Sequence, residues 1–130
     1  MKILTIRTDK PEAEIGLFND NVETDYIKWQ AHKELSLTIL TTIKTLLDKN
    51  NLDYKDIEGV IIYSGPGSFT GLRIGFSVGN SLSYGLKIPI VSTNESNWIK
   101  DGISRLKNKE SDYVAVPYYG QEPHVTAPRK

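Results

Sequence analysis

The run Ser64-Gly65-Pro66-Gly67-Ser68-Phe69-Thr70-Gly71-Leu72-Arg73-Ile74-Gly75 follows the apolar segment Gly59 to Tyr63 and opens a stretch of helical character. A strand that passes through a glycine turn into a helix start offers backbone N–H groups to an anion, or a rigid corner to a docking partner. A Walker A loop would need lysine and then Ser/Thr after its last glycine, and here Leu72 and Arg73 follow Gly71. A dinucleotide loop would need G-x-G-x-x-G, whereas Gly65, Gly67 and Gly71 give G-x-G-x-x-x-G with Pro66 inside the turn. Both specific phosphate readings fail. What stays is a candidate anion-binding loop, Gly65, Pro66, Gly67, Ser68, Phe69, Thr70 and Gly71, with Arg73 one turn into the helix. The competing reading is that Ser68 or Thr70 simply caps that helix.

Other chemistry is sparse. The chain has no cysteine, so thiol nucleophiles, thiolate zinc sites and disulfides are excluded. His32 and His124 are far apart and belong to no metal-binding spacing, so neither a catalytic nor a metal residue is assigned. Asp53, Asp56, Glu12 and Glu14 read as turn and strand-face residues without partners. Between Gly59 and Asn94 there is no Asp or Glu to serve as a base or magnesium ligand. Sixteen basic residues balance sixteen acidic ones over 130 residues, which leaves no global field to draw nucleic acid. The apolar run at Met1 to Thr8 is too short for a signal peptide, and no stretch approaches membrane-spanning length. A soluble, cytoplasmic chain is the expectation.

These residues need a frame to position them. Alternation and β-branching predict strands at Lys2 to Thr8, Glu12 to Asn19 and Val22 to Trp29, an antiparallel meander turning at Asn19-Asp20-Asn21. Leu35, Ile39, Leu40, Ile43, Leu46 and Leu47 recur at helical spacing within Ala31 to Asn50. Gly59 to Tyr63 reads as a buried parallel strand, Thr70 to Leu86 as a second helix, Ile90 to Ser92 as a fifth strand and Asn94 to Leu106 as a third helix. Residues 1–106 then form one α/β domain, a mixed five-stranded sheet with helices on both faces. Residues 107–130 form a charged turn, a short strand at Tyr113 to Val116 and a proline-punctuated tail with Tyr118 and Tyr119 as packing residues.

On the second helix Gly71, Gly75, Gly79 and Ser83 fall four residues apart and make one stripe inside the apolar arc, flanked by Leu72 and Phe76. Each internal glycine costs about 1 kcal/mol relative to alanine, so the stripe implies close backbone approach by something packed on it. That something is either the domain's own sheet or the helix of a partner.

The segment Gly65 to Gly75 resembles the signature of the bacterial TsaB (YeaZ) family of tRNA threonylcarbamoyladenosine biosynthesis proteins. The likeness extends to the N-terminal strand pair, to Ala31-His32 and the helix after it, and to Gly85-Leu86-Lys87-Ile88-Pro89-Ile90, about residues 1–99. Pro117-Tyr118-Tyr119 and Glu122-Pro123 resemble the family's C-terminal end more faintly. The resemblance implies an actin/hexokinase-like (ASKHA, ribonuclease H-like) lobe. It also implies a non-catalytic subunit beside TsaD, with the ATPase TsaE as third member, tRNA reached only through the complex, and a homodimer in isolation. ATP, magnesium and a metal would then belong to the partner subunits, with no cofactor on this chain. Carried onto this sequence, the family's interface implies partner-binding residues Leu35, Ile39, Ile43, Gly71, Leu72, Gly75, Phe76, Gly79 and Ser83. Two departures stand out. Relatives have Ile-Asp-Thr where this chain has Ile6-Arg7-Thr8, which opposes metal-assisted phosphoryl chemistry there. Relatives also carry a second lobe, where this chain runs from Trp98 through Lys107 to Asp112 directly into the tail, as a minimal form would.

Overall fold

The computed structural model describes residues 1–118. Tyr119, Glu122, Pro123 and His124, considered above, lie outside the described residues. Strands β1 (Lys2–Arg7), β2 (Glu12–Asn19) and β3 (Val22–Gln30) form the expected meander, with Ile6 opposite Ile15 and Ile15 opposite Ile27. β4 (Gly59–Tyr63) pairs parallel with β1, and β5 (Ile90–Thr93) pairs parallel with β4, giving a five-stranded mixed sheet in the order β3-β2-β1-β4-β5.

The side-chain period of two sorts each strand between two cores. Leu4, Ile6, Ile15, Val60, Ile62 and Ile90 meet helices α1 (Leu35–Lys49) and α2 (Phe69–Leu86) on one face. Ile3, Phe18, Ile61, Tyr63 and Val91 meet α3 (Trp98–Lys107) through Trp98, Ile103 and Leu106 on the other. Helices therefore cover both faces. β4 has neighbours on both edges and both faces, which explains its unbroken apolar run Val60 to Tyr63.

Boundaries shift from the sequence reading where the backbone turns left-handed. His32 sits at φ 47°, so a short 3₁₀ turn (His32–Glu34) comes first and α1 begins at Leu35. Glu95 at φ 71° delays α3 from Asn94 to Trp98. Ser68 caps α2 by accepting the Gly71 N–H at 3.3 Å, which decides between the two candidate caps. Asp53 and Asp56, read as unpaired, form a reciprocal capping box around a second 3₁₀ turn.

The strand expected at Tyr113 to Val116 is not formed. Tyr113 at φ 64° breaks extended geometry, and the segment is tied down by side chains instead. Asp112 N–H donates to Ile90 O at 2.7 Å, and its carboxylate accepts from Ser92 N–H at 2.8 Å and Arg105 Nη2 at 2.6 Å. Asn80 of α2 clasps Ala115 twice, donating to its carbonyl at 3.0 Å and accepting its N–H at 2.8 Å. Tyr118 N–H then donates to Ser64 O at 2.7 Å, so residues 111–118 run along the domain as a strap.

Asn80→Ala should therefore cost about 1–3 kcal/mol, since it leaves both backbone groups of the buried Ala115 without their partner. A denaturant midpoint unchanged from wild type would contradict the clasp.

Candidate functional site

The signature loop is built against the end of β1. Thr8 and Asp9 follow β1 past its end at Arg7, and the loop and first turns of α2 pack on them. A Cβ on Gly71 would overlap the Thr8 carbonyl oxygen, and one on Gly75 would overlap Thr8 Oγ1. Gly67 rests on Asp9, whose carbonyl accepts the Ser68 N–H at 3.0 Å. Gly65, at φ 107°, supplies the turn geometry that a side chain would resist and lies beneath the Tyr118 carbonyl. The glycines of the loop thus admit neighbouring backbone, and the loop is packed from beneath by β1 and from the side by the strap.

Arg7 and Asp9 form an ion pair that the sequence reading did not name. Arg7 Nε donates to Asp9 Oδ1 at 2.8 Å and Nη2 to Oδ2 at 3.3 Å, with the Asp9 side chain 7% exposed. The guanidinium carbon lies 3.9 Å from the centre of the Tyr63 ring, and Tyr63 meets Trp98 edge-on at 5.6 Å. Burial works against the Arg7 charge, but Asp9 more than offsets it and the pKa is raised. Glu14, read as unpaired, faces Arg7 across β1 and β2 and accepts the Tyr26 hydroxyl at 2.5 Å. Burial, reinforced by that bond to Glu14, drives the Tyr26 pKa upward and keeps the phenol protonated. The carboxylate nearest the signature loop is therefore committed to a cation. Among the described residues, no group of three or more His, Asp or Glu side chains is placed to hold a metal ion.

The residues expected to touch a partner are instead the core beneath the helices. Ile43 and Leu72 are fully buried, and Leu35, Ile39, Phe76 and Ser83 nearly so. Gly79 abuts Ile62 and Ile90, and Ser83 Oγ donates to Ile88 O at 2.5 Å. Gly71 is half-buried against Thr8. The stripe faces inward because a helix lying on a sheet of branched side chains approaches closely only over small residues.

The helices keep a second face. Leu37 is 76% exposed on α1, Leu40 51%, Phe69 61% and Tyr84 90% on α2. Ile74 and Val78 lie half-buried on the flank of α2 that joins the α1 core. Across its eighteen residues α2 carries one charged side chain, Arg73. A solvent-facing helix ordinarily presents several charges on its outer side, and α2 presents Arg73 alone.

At the head of the two helices lies a cleft of about 300 Å³. Ser68, Thr70 and Gly71 of the candidate anion loop line it, whereas Arg73 does not. Its lysines come from elsewhere: Lys10 from the β1–β2 turn and Lys33, beside His32, from the 3₁₀ turn before α1. Sequence reasoning missed this convergence because the three segments meet only through the sheet.

Comparisons with known proteins bear on this arrangement. The family model for TsaD, tRNA N6-adenosine threonylcarbamoyltransferase, matches residues 29–109. A tRNA threonylcarbamoyladenosine biosynthesis protein TsaB from Buchnera aphidicola subsp. Schizaphis graminum is 32% identical over 114 residues, covering 88% of this chain and 54% of that relative. The TsaB of Escherichia coli K12 is 28% identical over 112 residues, covering 82% of this chain and 48% of that protein. The chain thus spans about half the length of the curated relatives it matches. Among solved structures, YeaZ from Pseudomonas aeruginosa superposes with a TM-score of 0.67 at 20% identity, over 72% of this chain and 44% of that one, which shows the fold.

The orientation of the glycine stripe has a signed consequence. On an exposed helix face Gly75→Ala would stabilise by about 1 kcal/mol. Here the added methyl meets Thr8, so the substitution should instead lower stability, by about 1–3 kcal/mol. A raised unfolding midpoint for Gly75→Ala would refute the inward orientation.

Proposed function

This chain belongs to the TsaB–TsaD family of tRNA threonylcarbamoyladenosine biosynthesis proteins, and from that premise we propose that it is a non-catalytic scaffold subunit that binds and activates a TsaD-type subunit. The observation that carries the reading is the outer face of α1 and α2, with Leu37, Leu40 and Phe69 exposed and only Arg73 charged on α2. In this reading the partner packs across the two helices, outside the glycine stripe, and the stripe acts indirectly by setting how both helices lie on the sheet.

The chemistry then belongs to the partners. Arg7 and Asp9 neutralise each other where an actin-like enzyme would present a free acid, and the cleft is lined by two lysines and no carboxylate. The TsaD-type subunit would carry metal and substrate, a TsaE-type ATPase would act with ATP and magnesium, and tRNA would be met only through the assembly. In the partner's absence the same apolar face would pair with a second copy. The setting of such an assembly is the cytoplasm, and no helix among the described residues is long and apolar enough to cross a membrane.

A helix-pair interface gains about 25 cal/mol per Å² of apolar area, less the cost of association, so a charge placed in its centre should be decisive. Leu40→Glu should weaken the complex with a TsaD-type subunit from the same organism at least tenfold by calorimetry, while the variant's own unfolding midpoint stays near wild type. Wild-type affinity in folded Leu40→Glu would overturn the interface.

A further inference from the structure

We infer that the cationic cleft at the head of α1 and α2 receives a carboxylate side chain of the TsaD-type partner, an inference that rests on the docking reading above. The cleft holds about 300 Å³, at the small end of the range for ligand sites and ample for a side chain. Lys10, His32 and Lys33 reach it from two separate turns, and no acidic side chain lines it. Among the described residues none of these three makes an ion pair, whereas Arg7, Lys44 and Arg105 each have an acid of their own. Asp9, the acid next to Lys10, is turned away to Arg7.

The walls identify the occupant. Leu35 and Ile74 close the cleft on the helix side, so its apolar floor continues into the α1–α2 seam rather than ending in a polar cradle. Leu40 lies about 200° round α1 from Thr38, which accepts the Trp29 indole N–H on the β3 side, and so stands on the flank away from β3. A partner helix seated on Leu37 and Leu40 would therefore pass the mouth of the cleft within a turn or two. An Asp or Glu there would meet two lysines and the Ser68 and Thr70 hydroxyls, with Arg73 exposed one turn further along α2. Opposite charge at the rim of an apolar face fixes register and speeds encounter. This complements the charge-poor outer face of α2, which by itself would allow the partner helix to slide.

The test is calorimetry and stopped-flow binding of the full chain to the TsaD-type subunit at about 50 and about 500 mM NaCl. Wild type should lose at least tenfold in affinity between the two salts, chiefly through the association rate. The double variant Lys10→Glu/Lys33→Glu should bind at least tenfold more weakly at low salt and lose most of that salt dependence, while Lys100→Glu on α3 stays like wild type. Wild-type affinity and salt dependence in the double variant would overturn the inference while leaving the docking reading intact. So would micromolar binding of inorganic phosphate or ATP by the isolated chain that the double variant abolishes without changing partner affinity, for the cleft would then serve a free anion. A wild-type chain that binds no TsaD-type subunit at either salt would overturn the docking reading and this inference together.

Discussion

The structure depends on how closely α2 can approach the end of β1. Gly71 and Gly75 bring the helix axis down onto Thr8, close enough that the threonine hydroxyl is buried without a hydrogen-bond partner among the described residues. Such an orphan costs about 1–3 kcal/mol, which the packing around it must offset. The return is positional. With α2 seated on Thr8, the loop before it rests on Asp9, Ser68 caps the helix, and Leu72 and Phe76 fill the space above β1 and β4. Gly79 and Ser83 continue the same low ridge over Ile62, Ile90 and the Ile88 carbonyl.

That constraint also determines what faces outward. Once the small residues of α2 are spent on the sheet, the outer side must hold Phe69, Arg73, Ser77, Ser81 and Tyr84. It is polar enough to be wetted and too poor in charge to be an ordinary solvent face. The 3₁₀ turn His32–Glu34 serves the same surface from the other helix, since it swings His32 and Lys33 toward the loop before α1 starts. On the opposite side of the sheet the Arg7–Asp9 pair lies over Tyr63, so a charge at the end of β1 is held in place beside the loop. The strap of residues 111–118 closes the frame by joining β5, α2 and Ser64.

Much of this frame was legible in the sequence because it rests on local periodicity. Alternation marked the three strands of the meander, an unbroken β-branched run marked β4, and the spacing of Leu35, Ile39 and Ile43 marked α1 as a helix, although those three residues were expected at a partner and lie in the core. The glycine spacing stated that something approaches closely. It could not state what, because a sheet and a partner helix impose the same requirement on a helix face, and the structure resolves the choice in favour of the sheet. Left-handed residues such as His32, Glu95 and Tyr113 displaced boundaries, since non-glycine residues at positive φ carry little local signal. The Arg7–Asp9 pair was not legible, because Asp9 lies past the end of β1 and strand alternation says nothing of where its side chain turns. Nor was the cleft, because Lys10, Lys33 and Ser68 meet only after the meander and the β4–α2 crossover are assembled. What the sequence did carry plainly, and what spacing arguments passed over, is that α2 has a single charge in eighteen residues.

The central claim is that the outer faces of α1 and α2, rather than the glycine stripe, meet a TsaD-type subunit. Amide hydrogen exchange of the chain with and without that subunit tests it most directly. The account predicts slowed exchange concentrated in residues 31–44 and 68–84, with α3 and β3 unchanged. Protection confined to α3 or to the β3 edge, with α1 and α2 exchanging as in the free chain, would contradict it.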